Sequence, residues 1–133
     1  MTIALDTNVL IRLLIGDDSI QAKRAKRLLE SAWEQGERCF VSDPVLCELE
    51  WVLDSAYGAS RHDVAMAIQE LLSNKIFVVE NEGLVQRAVD HYARGRADFS
   101  DYLLGVRGQA KGARTTYTFD KALRHEEGFT LLS

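Results

Sequence analysis

The sequence predicts an α/β fold with a mainly parallel central sheet of four to five strands, flanked by helices on both faces. Short apolar runs of three to five residues alternate with longer segments whose apolar residues recur at helical spacing. The runs at 3–5, 39–41 and 76–79 are wholly apolar, which is typical of parallel strands covered on both sides. A length of 133 residues, without a repeat or a linker, predicts a single domain over 1–133.

The first elements follow from the position of polar and glycine residues. The apolar run 3–5 stops at Asp6 and predicts a buried strand, and residues 8–15 predict a helix that ends near Gly16. Residues 19–33 carry Ile, Ala, Leu and Trp on one face and mainly Lys, Arg and Glu on the rest. That distribution predicts an amphipathic helix.

A second strand, at 39–41, is expected to lead directly into a third helix. Either Ser42 or Asp43 caps this helix, and Pro44 stands in the first turn, where a missing N–H costs nothing. The apolar spacing continues to about residue 56.

The rest of the chain continues the alternation. Ser, Arg, His and Asp at 60–63 fit a variant of the capping box and begin the next helix. The remaining predicted elements are a strand at 76–79, helices at 84–92 and 98–111, a strand at 115–119, a helical turn at 121–125 and a terminal strand at 129–132.

Composition restricts the function classes. The net charge is −4 and the sequence pI is about 5.4, so binding of nucleic acid would need local basic groups or a bound cation. Cys39 and Cys47 lie in different elements and show no zinc spacing. The N-terminal segment lacks a signal-peptide pattern and no apolar run reaches membrane-spanning length, so we expect a cytoplasmic protein without a membrane partner.

Acidic and hydroxyl side chains follow three of the predicted strands. Asp6 follows the first strand, Ser42 and Asp43 follow the second, and Asp120 follows the fourth. Ligands of open parallel sheets bind at the carboxyl ends of the strands. The sequence therefore predicts an oxygen-rich site at one edge of the sheet.

Glu48 is expected to border the apolar stripe of the third helix, which we assign to Val45, Leu49, Val52, Leu53 and Ala56. At about 100° per residue it lies roughly 40° from Val52, whereas Glu50 lies nearly opposite the stripe and should be solvated. A carboxylate beside the core needs a partner. Glu48 is therefore either a hydrogen-bonded structural residue or a metal ligand.

Asp98 and Asp101 permit two interpretations. Asp98 is expected to cap a helix and Asp101 to complete a capping box, and the same cap could hold Asp101 at the edge of the sheet. If Asp6, Glu48, Asp101 and Asp120 converge, their charges repel and a divalent cation would relieve the repulsion. Oxygen ligands without thiolates favour Mg²⁺ or Mn²⁺, ions that support phosphodiester hydrolysis.

At these positions the sequence resembles the PIN-domain family, and within it the VapC-type toxin ribonucleases of type II toxin–antitoxin systems. The resemblance spans essentially the whole chain. It rests on LDTNVLIRLL at 5–14, VSDPVLCELEWVL at 41–53, ADFSDYLLG at 97–105 and TYTFDKAL at 116–123.

The resemblance implies a PIN-like fold and a metal-dependent endoribonuclease, the toxin of a toxin–antitoxin pair. It implies Asp6, Glu48, Asp101 and Asp120 as the acidic cluster around Mg²⁺ or Mn²⁺, with Asp98 as a further candidate ligand whose share with Asp101 is open. Small polar residues, namely Thr7 or Asn8, Ser42 and Thr118, match positions that support the cluster. It also implies an RNA substrate, a homodimer, and an antitoxin whose tail enters the site.

The proposed chemistry needs no histidine, and we expect His62, His91 and His125 to lie on helical surfaces. Cations in the second half of the chain could grip phosphates, although solvated surface charge is the simpler interpretation. These cations are Arg96, Arg107, Lys111, Arg114, Lys121 and Arg124. Trp33 and Trp51 are expected in the core or in dimer contacts rather than as stacking platforms for bases, and Tyr57 and Tyr102 are undecided.

Three alternatives remain. A response-regulator receiver would need an acidic pair after the first strand, and an aspartate-nucleophile phosphatase would need Asp-x-Asp, whereas this chain has Asp6, Thr7 and Asn8. The third alternative is a PIN-like module that binds RNA or protein without catalysis. Fold alone does not separate it from an enzyme.

Overall fold

The computed structural model describes residues 1–17 and 19–132 and confirms the α/β fold class. The elements in chain order are β1 Thr2–Ala4, α1 Thr7–Ile15, α2 Ile20–Glu34, β2 Arg38–Val41, α3 Asp43–Tyr57, α4 Arg61–Ser73, β3 Phe77–Val79, α5 Glu82–Arg94, α6 Phe99–Ala110, β4 Thr116–Thr118, a 3-10 helix Lys121–Leu123, and β5 Phe129–Leu131. Each predicted element is confirmed, with ends that move by at most two residues.

The five strands do not share one hydrogen-bonded sheet among the described residues. A parallel sheet has the order β1-β2-β3, and β4 pairs with β5 in a separate parallel pair. The prediction of mainly parallel strands is confirmed, and the single sheet of four to five strands is corrected to a sheet of three and a sheet of two. The chain divides into two compact units, 1–82 and 83–133.

The first unit is built around β2, the middle strand of its sheet. Cys39 and Val41 are fully buried while Phe40, between them, is half-buried. Successive side chains of a strand point to opposite faces, so both faces of this strand are covered. Helices α2 and α4 pack against β2 and β3, and α1 packs against α2 and α3.

The second unit has its core between α5, α6 and the last residues of the chain. The Tyr92 and Phe99 rings meet edge to face with centroids 6.2 Å apart, a favourable aromatic geometry. Gly105 on α6 faces the Phe129 ring of β5 so closely that a Cβ at this position would overlap the ring. Glycine therefore allows the terminal strand to pack on α6.

Cys39 is buried and Cys47 is half-buried, and the structure shows no disulfide between them. Burial raises the pKa of the Cys39 thiol. None of the helices in the described part of the chain is long and apolar enough to cross a membrane.

Candidate functional site

Asp6 caps α1 immediately after the first strand and its buried neighbour Leu5. Its Oδ1 accepts a hydrogen bond from the Val9 N–H at 3.1 Å, which satisfies one of the free donors of the first helical turn. The side chain is exposed, and no residue in the described part of the chain donates to Oδ2. One oxygen therefore holds the helix while the other can bind a ligand.

The two polar residues after Asp6 have different environments. Thr7 is buried, whereas Asn8 is exposed. Asn8 shares with Asp6 the lining of a groove of about 580 Å³ between α1, α2 and α3. Of the two candidates for a supporting role, only Asn8 thus lies open to solvent beside Asp6.

The end of β2 is joined to the end of β3 by a network that sequence reasoning missed. Ser42, rather than Asp43, caps α3 through a bond from the Val45 N–H. Asp43 is 1% exposed. Its N–H donates to Glu80 Oε1 at 2.8 Å, and its Oδ2 accepts from Asn81 Nδ2 at 2.8 Å. The sequence signal that could have indicated this network is the presence of polar residues directly after two strands that are neighbours in the parallel sheet.

The predicted environments of Glu48 and Glu50 are wrong. Glu48 is exposed and Glu50 is only 4% exposed. The buried face of α3 consists of Asp43, Leu46, Leu49, Glu50 and Leu53. It is therefore centred on Leu46 and Leu53 rather than on Val45 and Val52, and that rotation carries Glu50 inward. Glu48 remains a candidate ligand that is accessible from solvent.

Asp98 and Asp101 form the predicted capping box at the start of α6. The Asp98 N–H donates to Asp101 Oδ2 at 3.3 Å, and the Asp98 side chain accepts from the backbone of Asp101. Asp101 is half-buried and Asp98 is exposed. The box fixes the direction of the Asp101 carboxylate relative to the helix axis.

The Asp101 carboxyl lies in an environment that opposes its charge. Burial raises its pKa above the ordinary value, the bond from the Asp98 backbone lowers it, and the negative charges of Asp98 and Asp120 raise it further. Asp98, Asp101 and Asp120 therefore lie within electrostatic reach of one another in the second unit.

Asp120 follows β4 and caps the short 3-10 helix. Its Oδ1 accepts from the Ala122 N–H at 2.9 Å, and its own N–H donates to Thr118 Oγ1 at 3.0 Å. Thr118, one of the small polar residues matched by the resemblance, thus orients the backbone of Asp120. The carboxylate itself is exposed.

The other candidate residues are mostly at the surface. The six cations of the second half are all exposed. Trp33 and Trp51 are 60% and 66% exposed, so the expectation that they are core residues is wrong, and a dimer contact stays a prediction.

Tyr57 is exposed and Tyr102 is buried. Tyr102 accepts bonds from two backbone N–H groups and stacks on His91; His62 and His125 are exposed.

The oxygen donors fit a hard divalent cation in their chemistry. Burial is the main cause of the raised pKa of Asp101, and the repulsion by Asp98 and Asp120 that adds to it is the kind that a cation relieves. No thiolate lies in the set, as a hard cation prefers. Within residues 1–17 and 19–82, and within residues 83–132, no three acidic, His or Cys side chains are arranged to hold an ion. Asp6 and Glu48 belong to the first unit and the other three acids to the second, so their convergence stays a prediction.

Comparison with known proteins adds an independent observation. The family model described as PIN domain matches residues 3–127. The chain is 26% identical over 120 residues to a VapC ribonuclease of Aquifex aeolicus (strain VF5), an alignment that covers 90% of this chain and 88% of that protein. No solved structure gave a significant match.

Proposed function

Because this chain belongs to the PIN-domain family, we propose that it is a metal-dependent endoribonuclease that hydrolyses RNA phosphodiester bonds. The observation that carries the proposal is the family match over 3–127, together with acids at Asp6, Glu48, Asp101 and Asp120. The similarity to a VapC ribonuclease along 90% of the chain supports the same activity.

We propose further that residues 1–133 act as one PIN domain. The family match crosses the boundary between the two compact units without interruption. Asp6 and Glu48 of the first unit and Asp101 and Asp120 of the second would then form one site, with Asp98 at its margin.

These acids would hold Mg²⁺ or Mn²⁺, which supplies a polarised water and neutralises the charge on the scissile phosphate. Asp6 would contribute the oxygen that does not cap α1, and Asp101 would contribute a carboxylate oriented by its hydrogen bond from the Asp98 N–H. Asp120 would be a further ligand, and Glu48 would orient the attacking water or complete the ligand set. Hydrolysis would join the water oxygen to phosphorus in line with the breaking bond to the 3′ oxygen. The water would lose a proton to solvent, and the 3′ oxygen would leave with a proton taken from solvent.

We also propose that the chain is the toxin of a toxin–antitoxin pair, is cytoplasmic, forms a homodimer, and binds an antitoxin whose tail enters the site. The similarity to a VapC ribonuclease supports the toxin assignment. The exposed indoles of Trp33 and Trp51 support a protein contact, because large apolar side chains gain free energy when association removes them from water.

The experiment is cleavage of total cellular RNA by purified protein with Mg²⁺, with Mn²⁺ and with EDTA. Asp6→Asn should lose at least about 100-fold in rate, since loss of even a ligand-supporting group costs up to about that factor. Asn caps helices as well as Asp, so this variant should remain folded. Asp54→Asn, which changes an exposed acid on α3, is the matched control.

Discrete products that disappear with EDTA and with Asp6→Asn, but persist with Asp54→Asn, support the proposal. Absence of cleavage with either ion, by folded protein free of antitoxin, would replace the proposed enzyme with a non-catalytic module that binds RNA or protein.

A further inference from the structure

The first half of α2 carries an unusual concentration of positive charge. Lys23, Arg24, Lys26 and Arg27 stand within five positions, in a chain with 16 basic residues and a net charge of −4. All four side chains are exposed. We call these four residues the α2 basic face.

The arrangement opposes the stability of the helix that carries it. Three pairs, Lys23 with Lys26, Lys23 with Arg27, and Arg24 with Arg27, have the three- or four-residue spacing at which like charges repel on a helix. The face lies near the positive end of the helix dipole, and the first turn has no acidic residue. These positions are therefore not explained by a contribution to folding.

The cations also have no anionic partner in the described part of the chain. Arg12 forms an ion pair with Asp17 at 3.3 Å, whereas none of the four cations forms one with a residue that the structure describes. Glu30 is the only acid on α2 within four positions of any of the four cations, and it forms no ion pair with them. Four exposed cations without counterions form a surface that attracts a polyanion.

The basic face adjoins the groove in which Asp6 lies. Arg24 lines this groove together with Asp6, Gln21 and Leu28. Lys23 and Lys26 line a smaller depression of about 200 Å³ on the other side of α2. At about 100° per residue, the four cations cover roughly 160° of the helix circumference. The positive surface therefore extends from the groove of Asp6 across the outside of α2.

We propose that the α2 basic face binds the sugar-phosphate backbone of RNA and leads it into the groove that contains Asp6. The proposal rests on the proposed ribonuclease function, because it assigns the polyanion to the substrate. Flexible, fully charged side chains on a helix contact phosphates without reading bases, so the face contributes affinity rather than sequence preference. It also supplies the local positive charge that an acidic chain needs to approach RNA.

The test is equilibrium binding of a short fluorescent single-stranded RNA, measured in EDTA at several salt concentrations. The variant Lys23→Gln/Lys26→Gln/Arg27→Gln should bind at least about tenfold more weakly at low salt. The slope of log affinity against log salt should fall by about 2, since each contact to a single strand contributes about 0.7. In cleavage assays the loss should fall on KM more than on kcat.

Two control variants distinguish an effect of positive charge on the α2 basic face from an effect of the side chains themselves or of positive charge elsewhere on the protein. Lys23→Arg/Lys26→Arg/Arg27→Lys keeps the charge and should retain the affinity and the slope. Lys75→Gln removes one exposed cation of the first unit away from α2 and should leave both unchanged. The thermal unfolding midpoint of the glutamine variant should be at least as high as that of the parent, because the substitutions relieve charge repulsion within α2.

The outcomes distinguish this proposal from the proposed function. If the glutamine variant cuts RNA normally and has the salt slope and the KM of the parent, the proposed role of α2 is wrong and the proposed nuclease function is unaffected. If the glutamine variant loses RNA affinity as expected but the parent does not cleave RNA, the role of α2 in binding is supported and the proposed nuclease function is wrong. If the parent binds poly-L-glutamate through these cations and does not bind RNA, the face belongs to an acidic protein and the RNA proposal is wrong.

Discussion

Asp6 caps α1 through one carboxylate oxygen, and the proposed function gives a chemical role to the other oxygen. Oδ1 accepts the Val9 N–H, while Oδ2 is available for a ligand. Substitution can separate the two roles, because asparagine keeps a hydrogen-bond acceptor at the cap position and alanine does not.

Asp6→Asn should retain the stability of the parent, whereas Asp6→Ala should lose about 1 kcal/mol of the free energy of unfolding, the usual effect of removing a cap. Both variants should lose RNA cleavage. Urea denaturation followed by circular dichroism gives the stabilities, and product formation gives the activities. An active Asp6→Asn variant would show that Asp6 is a cap and no more.

The charged Asp101 carboxylate is expected to lower the free energy of unfolding of the folded protein. Its carboxyl has a raised pKa in the folded protein, chiefly through burial. Above the ordinary Asp pKa of 3.8 the unfolded chain ionises more readily than the folded one, so stability falls as the pH rises through the raised value. Below 3.8 both states are protonated and the effect disappears.

Asp101→Asn should therefore be more stable than the parent at neutral pH, by less than about 1 kcal/mol because solvent screens a half-buried charge. The difference should vanish below the ordinary Asp pKa. Added Mg²⁺ or Mn²⁺ should raise the thermal midpoint of the parent and not that of the variant. A variant that is equally stabilised by the metal would exclude Asp101 as a ligand.

At the scale of elements, α3 shows how a shift of the buried face by one residue position, about 100° around the helix axis, changes the assignment of two glutamates. The stripe centred on Val45 and Val52 and the stripe centred on Leu46 and Leu53 have the same spacing and similar hydrophobicity. The sheet and the neighbouring helices select the second stripe, which buries Glu50. Helical periodicity locates the helix, but tertiary packing decides which of two adjacent stripes faces inward.

Glu50→Ala should lower the free energy of unfolding by about 1–3 kcal/mol, because it removes a buried side chain and leaves a cavity in the buried face of α3. Glu48→Ala, on the exposed side of the same helix, should change stability by less than about 0.5 kcal/mol and abolish cleavage. Urea denaturation of both variants measures the difference. Equal losses of stability would contradict the burial of Glu50.

The positions of the candidate site residues within their helices and loops were predictable from the sequence to the extent that local rules determine them, whereas their convergence stays a prediction. Asp6, Asp98 and Asp101 lie at helix starts, where capping patterns are visible in a few residues, and Asp120 lies beyond a short strand. The network of Asp43 and Asn81 was not predicted, since it joins residues 38 positions apart. Which strands pair depends on such long-range contacts, so five strands could be located without knowing that they form two hydrogen-bonded sheets.

At the scale of the whole molecule, the proposed single domain makes a prediction about cooperativity. Both tryptophans, Trp33 and Trp51, lie in the first compact unit, so their fluorescence reports on residues 1–82. Circular dichroism reports on helices of both units, including α5 and α6.

The two signals should give the same urea midpoint if the domain unfolds in one step. Hydrogen exchange of α6 amides should then be limited by the same free energy as exchange in α3. Separate transitions, with fluorescence changing independently of part of the circular dichroism signal, would show that the two units fold independently.

The cap at Asp6 has a genetic consequence. Aspartate and asparagine codons differ by one G-to-A transition, and at this position that change spares the hydrogen bond to Val9 while replacing the carboxylate. If the proposed function is right, this single mutation should convert the toxin into a folded but harmless chain. Survivors selected for tolerance of its expression should include this allele, and its product should still accumulate in the cell and sequester the antitoxin.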